Sequence, residues 1–114
     1  MRIRDFQRLI EDLYLKKDAG RGLDRTFMWF VEEIGELARD LLHRPPDAPP
    51  PGADSPLGRE FADVLAWLTT LASIAGIDLE DAARAKYGAG CPKCQRTPCA
   101  CEERAGAGAG ARAG

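Results

Sequence analysis

Two acidic runs stand out in the chain, Glu32-Glu33-Ile34-Gly35-Glu36 and Glu60-Phe61-Ala62-Asp63, and each sets two carboxylates three residues apart. On a helix that spacing puts both groups on one edge. Counting 100° per residue from Phe30, the apolar stripe Phe27, Phe30, Ile34, Leu37 and Leu41 spans roughly −20° to +60°. Glu33 then falls at about −60°, Glu36 at about −120° and Glu32 at about −160°. Glu33 and Glu36 therefore border the apolar stripe. Glu60 flanks the equivalent stripe of its own segment, and Asp63 sits one turn further along the same edge. Carboxylates crowded beside a core repel one another and resist ionisation unless a cation neutralises them. Only Arg25 and Arg59 lie near in sequence. A single such pair is most often a solvated face. Two pairs beside apolar stripes instead favour a site for a hard divalent cation, Mg²⁺ or Mn²⁺, which keeps positions free for water and phosphate. A di-iron centre would need Glu-x-x-His on two helices, and the single His, His43, lies outside both runs and is expected at the surface.

A second set of metal-type residues is Cys91-Pro-Lys-Cys94 and Cys99-Ala-Cys101, which together hold all 4 cysteines of the chain. Two close pairs in an otherwise cysteine-free chain favour a metal over disulfides. The expectation is a small zinc knuckle of structural role, closed because four thiolates fill a tetrahedral shell.

The elements that must carry these groups follow from the period of the apolar residues. Ile3, Phe6, Ile10 and Leu13 predict a helix over about 2–17, stopped by Gly20 in a left-handed conformation. A second helix opens with Asp24 as N-cap, stapled by Leu23 and Met28, and runs to about residue 43, where Pro45 and Pro46 forbid its continuation. Ser55-Pro56 reads as an N-cap followed by Pro at the first helical position. From there Leu57, Phe61, Val64, Leu68 and Leu71 carry a third helix to Gly76. Asp78, with Asp81 three residues on, caps a short fourth helix ending near Lys86. No stretch alternates with period two, so the chain is expected to be all-α. The proline-rich stretch 44–54 is an extended connection between two antiparallel helices.

Both halves of the acidic pattern, their order and separation, the adjoining Gly-Glu-Leu-Ala and Ala-Asp-Val-Leu, and the trailing Ala-Gly-Ile-Asp-Leu-Glu-Asp-Ala resemble the MazG-like nucleotide pyrophosphohydrolases. The resemblance covers roughly residues 1–87. It implies an oligomeric helical bundle, a dimer or tetramer, that uses Mg²⁺ to cleave nucleoside triphosphates between the α and β phosphates, releasing a monophosphate and pyrophosphate. By that resemblance Glu33, Glu36, Glu60 and Asp63 match the metal-ligating positions, and Glu32 matches a leading acid of less direct role. Glu32 or Glu36 is the candidate general base for the attacking water. Lys86-Tyr87 resembles the family's Lys-Tyr ending, where the Lys approaches the phosphates, although a helix-terminal Lys is commonly a partner of the helix dipole. Trp29 and Trp67, one turn from the acids on either helix, are candidates for stacking on a base or are plain packing residues. Lys16, Lys17, Arg21 and Arg25 form a basic turn, solvated or in reach of phosphates.

Composition narrows the class. Lys and Arg number 16 against 18 Asp and Glu, a net charge of −2, so no basic field favours nucleic acid. No run approaches the ~20 apolar residues of a membrane span. The start Met-Arg-Ile-Arg-Asp-Phe lacks the apolar core of a secretory signal, so a cytoplasmic protein is expected. The expected organisation is a helical domain over 1–88, the knuckle over 89–103 and a disordered Gly/Ala tail over 104–114. More than half the circumference of the second and third helices is apolar, more than about 85 ordered residues can cover, so at least a dimer is expected. House-cleaning of nucleotide pools is the expected role. The alternatives are a dUTP- or dCTP-specific enzyme, phosphoribosyl-ATP pyrophosphohydrolase, or a non-catalytic helical module that binds a partner through the knuckle.

Overall fold

The computed structural model describes residues 1–102, the side chains of 18 and 19 apart. Among the described residues there are four helices and no strand: α1 (Ile3–Arg21), α2 (Leu23–Leu42), α3 (Pro56–Ile74) and α4 (Leu79–Tyr87). The all-α expectation holds. No single helix is long and apolar enough to cross a membrane. The chain divides into two compact units, Met1–Leu79 and a second that begins at Glu80. The Gly/Ala tail expected over 104–114, and Glu103 before it, lie outside the described residues.

In the first unit α1 and α2 both pack on α3. Arg4 pairs with Asp78 at 2.9 Å, and Gln7 donates to Ser73 Oγ at 3.1 Å and to the Ile77 carbonyl at 2.8 Å, so successive turns of α1 meet earlier residues of α3 and its trailing turn. Gln7 also accepts from the Leu79 amide at 2.8 Å. Three hydrogen bonds to one buried amide fasten α1 to the chain reversal after α3, and a buried amide left without them would cost ~1–3 kcal/mol.

Two boundaries differ from the periodicity. Helix α1 runs through Gly20, and the break falls at Gly22, whose φ of 89° is open to glycine at little cost. Gly22 is also the N-cap of α2: its carbonyl accepts from the Thr26 hydroxyl at 2.7 Å. Asp24 therefore sits inside the first turn rather than at the cap, and with the cap at Gly22 the expected Leu23/Met28 staple loses its positions: Leu23 is already the first helical residue, and both side chains are exposed. The start of α3 is as expected, with Ser55 Oγ accepting from the Gly58 amide at 3.0 Å and Pro56 following. Gly58 must lack a side chain because a Cβ there would overlap the Ala53 carbonyl at the end of the linker. The stretch between α2 and α3 is irregular, as its proline density requires.

The predicted stripe of α2 is not a core in the single chain. Phe27, Ile34 and Leu41 are 54%, 40% and 45% exposed, while Ile10 is the one buried apolar side chain among the described residues. The closed interior is lined instead by short side chains, Thr26 and Thr69, both fully buried. Thr69 satisfies its hydroxyl on the Ala66 carbonyl at 2.8 Å, as Thr26 does on Gly22.

Candidate metal centre

The acids of α2 and α3 meet because the two helices run in opposite directions with a fixed register. Trp29 of α2 stacks on Trp67 of α3, ring centroids 6.4 Å apart and planes 9° from parallel. One and two turns further along α2, Glu33 and Glu36 reach Asp63 and Glu60, which stand one and two turns back along α3. Each of Glu33, Glu36 and Glu60 offers a carboxylate oxygen within 4.8 Å of those of the other two. Of the two cations nearest in sequence, Arg59 turns to Asp54 at 3.0 Å and Arg25 is exposed.

Electrostatics follow from that crowding. Burial, and then the charges of Glu36, Asp63 and Glu60 together with a hydrogen bond to Glu36, push the Glu33 carboxyl above its ordinary value. Glu60 is raised in the same way, by desolvation first and then by Glu36, Asp40 and Asp63. Glu33 Oε2 and Glu60 Oε2 are both sealed from water without a hydrogen-bond partner. An orphaned, desolvated carboxylate oxygen is unfavourable unless something positive meets it. Two of them, on residues of one carboxylate cluster, suit a hard divalent cation.

The expected site residues therefore separate. Glu33, Glu36 and Glu60 form the tight triad. Asp63 is close enough to raise both half-buried acids, Glu33 and Glu60, yet it is exposed, stands outside that triad, and lines a neighbouring cavity. Glu32 is exposed and is likewise not in the triad, as its angular position predicts. A further acid, Asp40, bears on the cluster through Glu60. It lies one turn beyond Glu36, a spacing that could have flagged it, but the short run Glu-Glu-x-x-Glu drew the motif to a close before reaching it.

The neighbouring cavity, about 270 Å³, lies between α1 and α3 and is lined by Tyr14, Lys17, Arg21, Asp63, Trp67 and Thr70 among others. The Arg21 guanidinium stands 5.2 Å from the Trp67 ring centroid. So of the basic turn, Lys17 and Arg21 reach a cavity that carries one of the acids, while Lys16 and Arg25 are exposed. Trp67 lines the cavity and Trp29 backs it through the stack. His43 is exposed, its Nδ1 2.8 Å from the Arg39 carbonyl. Lys86 and Tyr87 belong to the second unit, where the Lys86 ammonium lies 5.4 Å over the Tyr87 ring.

A cluster of carboxylates between antiparallel helices is a donor set that suits a hard divalent cation. Residues 21–95 match the MazG nucleotide pyrophosphohydrolase domain, and this chain is a member of that family. The match begins at the α1–α2 junction and spans both acidic runs. Family members are typically dependent on a divalent metal. No curated protein sequence matches the chain.

Proposed function

We propose that this protein is a cytoplasmic Mg²⁺- or Mn²⁺-dependent pyrophosphohydrolase of nucleoside triphosphates. It cleaves NTP or dNTP between the α and β phosphates to a monophosphate and pyrophosphate and so cleans the nucleotide pool. The observation that carries this reading is the pair of buried, partnerless oxygens, Glu33 Oε2 and Glu60 Oε2, beside the Glu36 carboxylate. Glu33, Glu36 and Glu60, with Asp63 at the edge, would hold the cation. When bound, it supplies positive charge that offsets the phosphate oxygens and lowers the pKa of a coordinated water.

The chain's own groups supply the rest. Glu36 is the exposed member of the triad, so its carboxylate is the one placed to take a proton from water; Glu32 lies outside the triad. Lys17 and Arg21 line the cavity beside Asp63, which supports a role for them in meeting phosphate oxygens. The open apolar face of α2, Phe27, Ile34 and Leu41, supports an assembly of at least two copies of the chain.

Incubation with ribo- and deoxynucleoside triphosphates, including dUTP and dCTP, and with phosphoribosyl-ATP, in Mg²⁺ and with products separated by ion exchange, tests the reading. Monophosphate and pyrophosphate in equal amounts are expected. Orthophosphate as the product, or no turnover of any nucleotide by folded protein, contradicts it and leaves the non-catalytic module.

A further inference from the structure

We propose that Cys91, Cys94, Cys99 and Cys101 hold one Zn²⁺ in a closed, tetrahedral, tetrathiolate site that organises the segment after α4. The proposal is independent of the hydrolase reading. Four ligands at about 2.3 Å in a tetrahedron lie about 3.8 Å from one another along its edges. Here Cys91 Sγ is 3.7 Å from Cys101 Sγ and 3.5 Å from Cys99 Sγ, and all four sulfurs lie within 4.8 Å of one another. A disulfide needs its sulfurs at about 2.05 Å, and none of the four cysteines is paired that way. The four sulfurs close around one point, as they do for a single metal ion. A polynuclear iron–sulfur cluster would hold its thiolates further apart, around several irons.

The backbone is built to the same end. The Cys91 amide donates to the Arg96 carbonyl at 3.1 Å and the Gln95 amide to the Cys91 carbonyl, which folds Cys91-Pro-Lys-Cys94 into a tight loop. The reversal is completed by Gln95 in a left-handed conformation at φ 58°. Gly90 opens the loop at φ 103°, and a Cβ there would press on the Arg96 carbonyl and the Thr97 hydroxyl. Amides are also aimed at sulfur: Ala100 N–H at Cys94 Sγ and Cys101 N–H at Cys99 Sγ, each at 3.3 Å. Four thiolates around Zn²⁺ carry roughly two surplus negative charges, and such N–H donors are the outer shell that disperses them. Apart from half-buried Gly90, Cys91 and Cys94, residues 88–102 are exposed and form no regular element. Lacking an apolar interior of its own, the segment gains its order from the ion. With every position filled by sulfur, the site has no place for a substrate water, so its role is structural.

The test uses the full chain, expressed without added metal and purified in reductant. Elemental analysis is expected to find one zinc per chain in the wild type and in Glu33→Gln. It should find none in Cys94→Ser/Cys99→Ser, with the helical circular dichroism signal retained. A mercurial thiol reagent should release the zinc in step with the loss of four thiols, and Co²⁺ taken up in its place should give the intense sulfur-to-metal charge-transfer bands of a tetrathiolate. Recovery of iron instead of zinc, of no metal from reduced wild type, or of undiminished zinc in the double variant overturns the proposal.

Discussion

Trp29 and Trp67 stack across the α2–α3 seam, 6.4 Å between centroids, and this pairing sets the register that brings the acids together one helical turn away. Because Glu33 follows Trp29 by four residues and Asp63 precedes Trp67 by four, a slip of either helix would pull the carboxylates apart. The pair is thus a positioning device for the cluster, and Arg21, over the Trp67 ring, extends it to the end of α1.

Truncating the stack should weaken the unit without unfolding it. Trp29→Ala and Trp67→Ala are each expected to destabilise by about 1–2 kcal/mol, less than a fully buried Trp because both rings are partly exposed. A double-mutant cycle in urea should give a coupling of about 0.5–1.5 kcal/mol between them. Strict additivity would show that the stack is incidental.

Neutralising one carboxylate should stop the chemistry while sparing the fold. Glu36→Gln and Asp63→Asn are expected to lower metal-dependent turnover by roughly 10²-fold or more, the scale of removing one electrostatic contact in an active site. Circular dichroism should show unchanged helix. Near-wild-type rates in both variants would remove the cluster from the mechanism.

The raised Glu33 and Glu60 carboxyls fix the sign of a pH effect. Their folded pKa exceeds the unfolded one, so the folded state binds more protons between the two values. The cost of their charge is fully present above the folded pKa and is relieved as pH falls through it. Metal-free protein in EDTA should therefore gain stability from these groups on mild acidification, until ordinary carboxylates begin to protonate. Glu33→Gln should raise the Tm of metal-free protein at neutral pH and narrow the gap as the pH falls. Mg²⁺ should stabilise the wild type more than the variant, and less at lower pH as protons compete for the same oxygens. A Glu33→Gln protein less stable than wild type in EDTA would contradict the electrostatic account.

The sequence reading captured the fold where local chemistry is decisive and lost it where packing decides. Ser55-Pro56 announced the start of α3 because a cap and a proline act within one turn. The angular positions of Glu33 and Glu36 placed both at the seam, since helical geometry alone fixes them. The break between α1 and α2 falls at Gly22, two residues past the glycine that the periodicity favours, because Gly20 and Gly22 are equally permissive in sequence and local pattern does not choose between them. Gln7 carried no signal: its three partners are 66 to 72 residues away in sequence. The stripe of Phe27, Ile34 and Leu41 was read correctly as apolar, yet within one chain it meets solvent.

That open stripe leads to a further expectation. Light scattering at micromolar concentration should give at least twice the 12.4 kDa chain mass, and Ile34→Lys or Phe27→Glu should shift it toward the monomer. A wild-type mass of one chain would refute the expected assembly.

The central claim is that the α2–α3 carboxylates bind a catalytic divalent cation, and direct Mn²⁺ binding tests it without relying on turnover. In electron paramagnetic resonance titrations, added Mn²⁺ should lose its free six-line signal on the wild type with saturable stoichiometry and be displaced by excess Mg²⁺. Glu33→Gln/Glu60→Gln, which removes the two orphaned oxygens' charge, should leave the signal free at the same concentrations while circular dichroism stays that of the wild type. Equal Mn²⁺ binding by wild type and double variant, or none by either, would contradict the account.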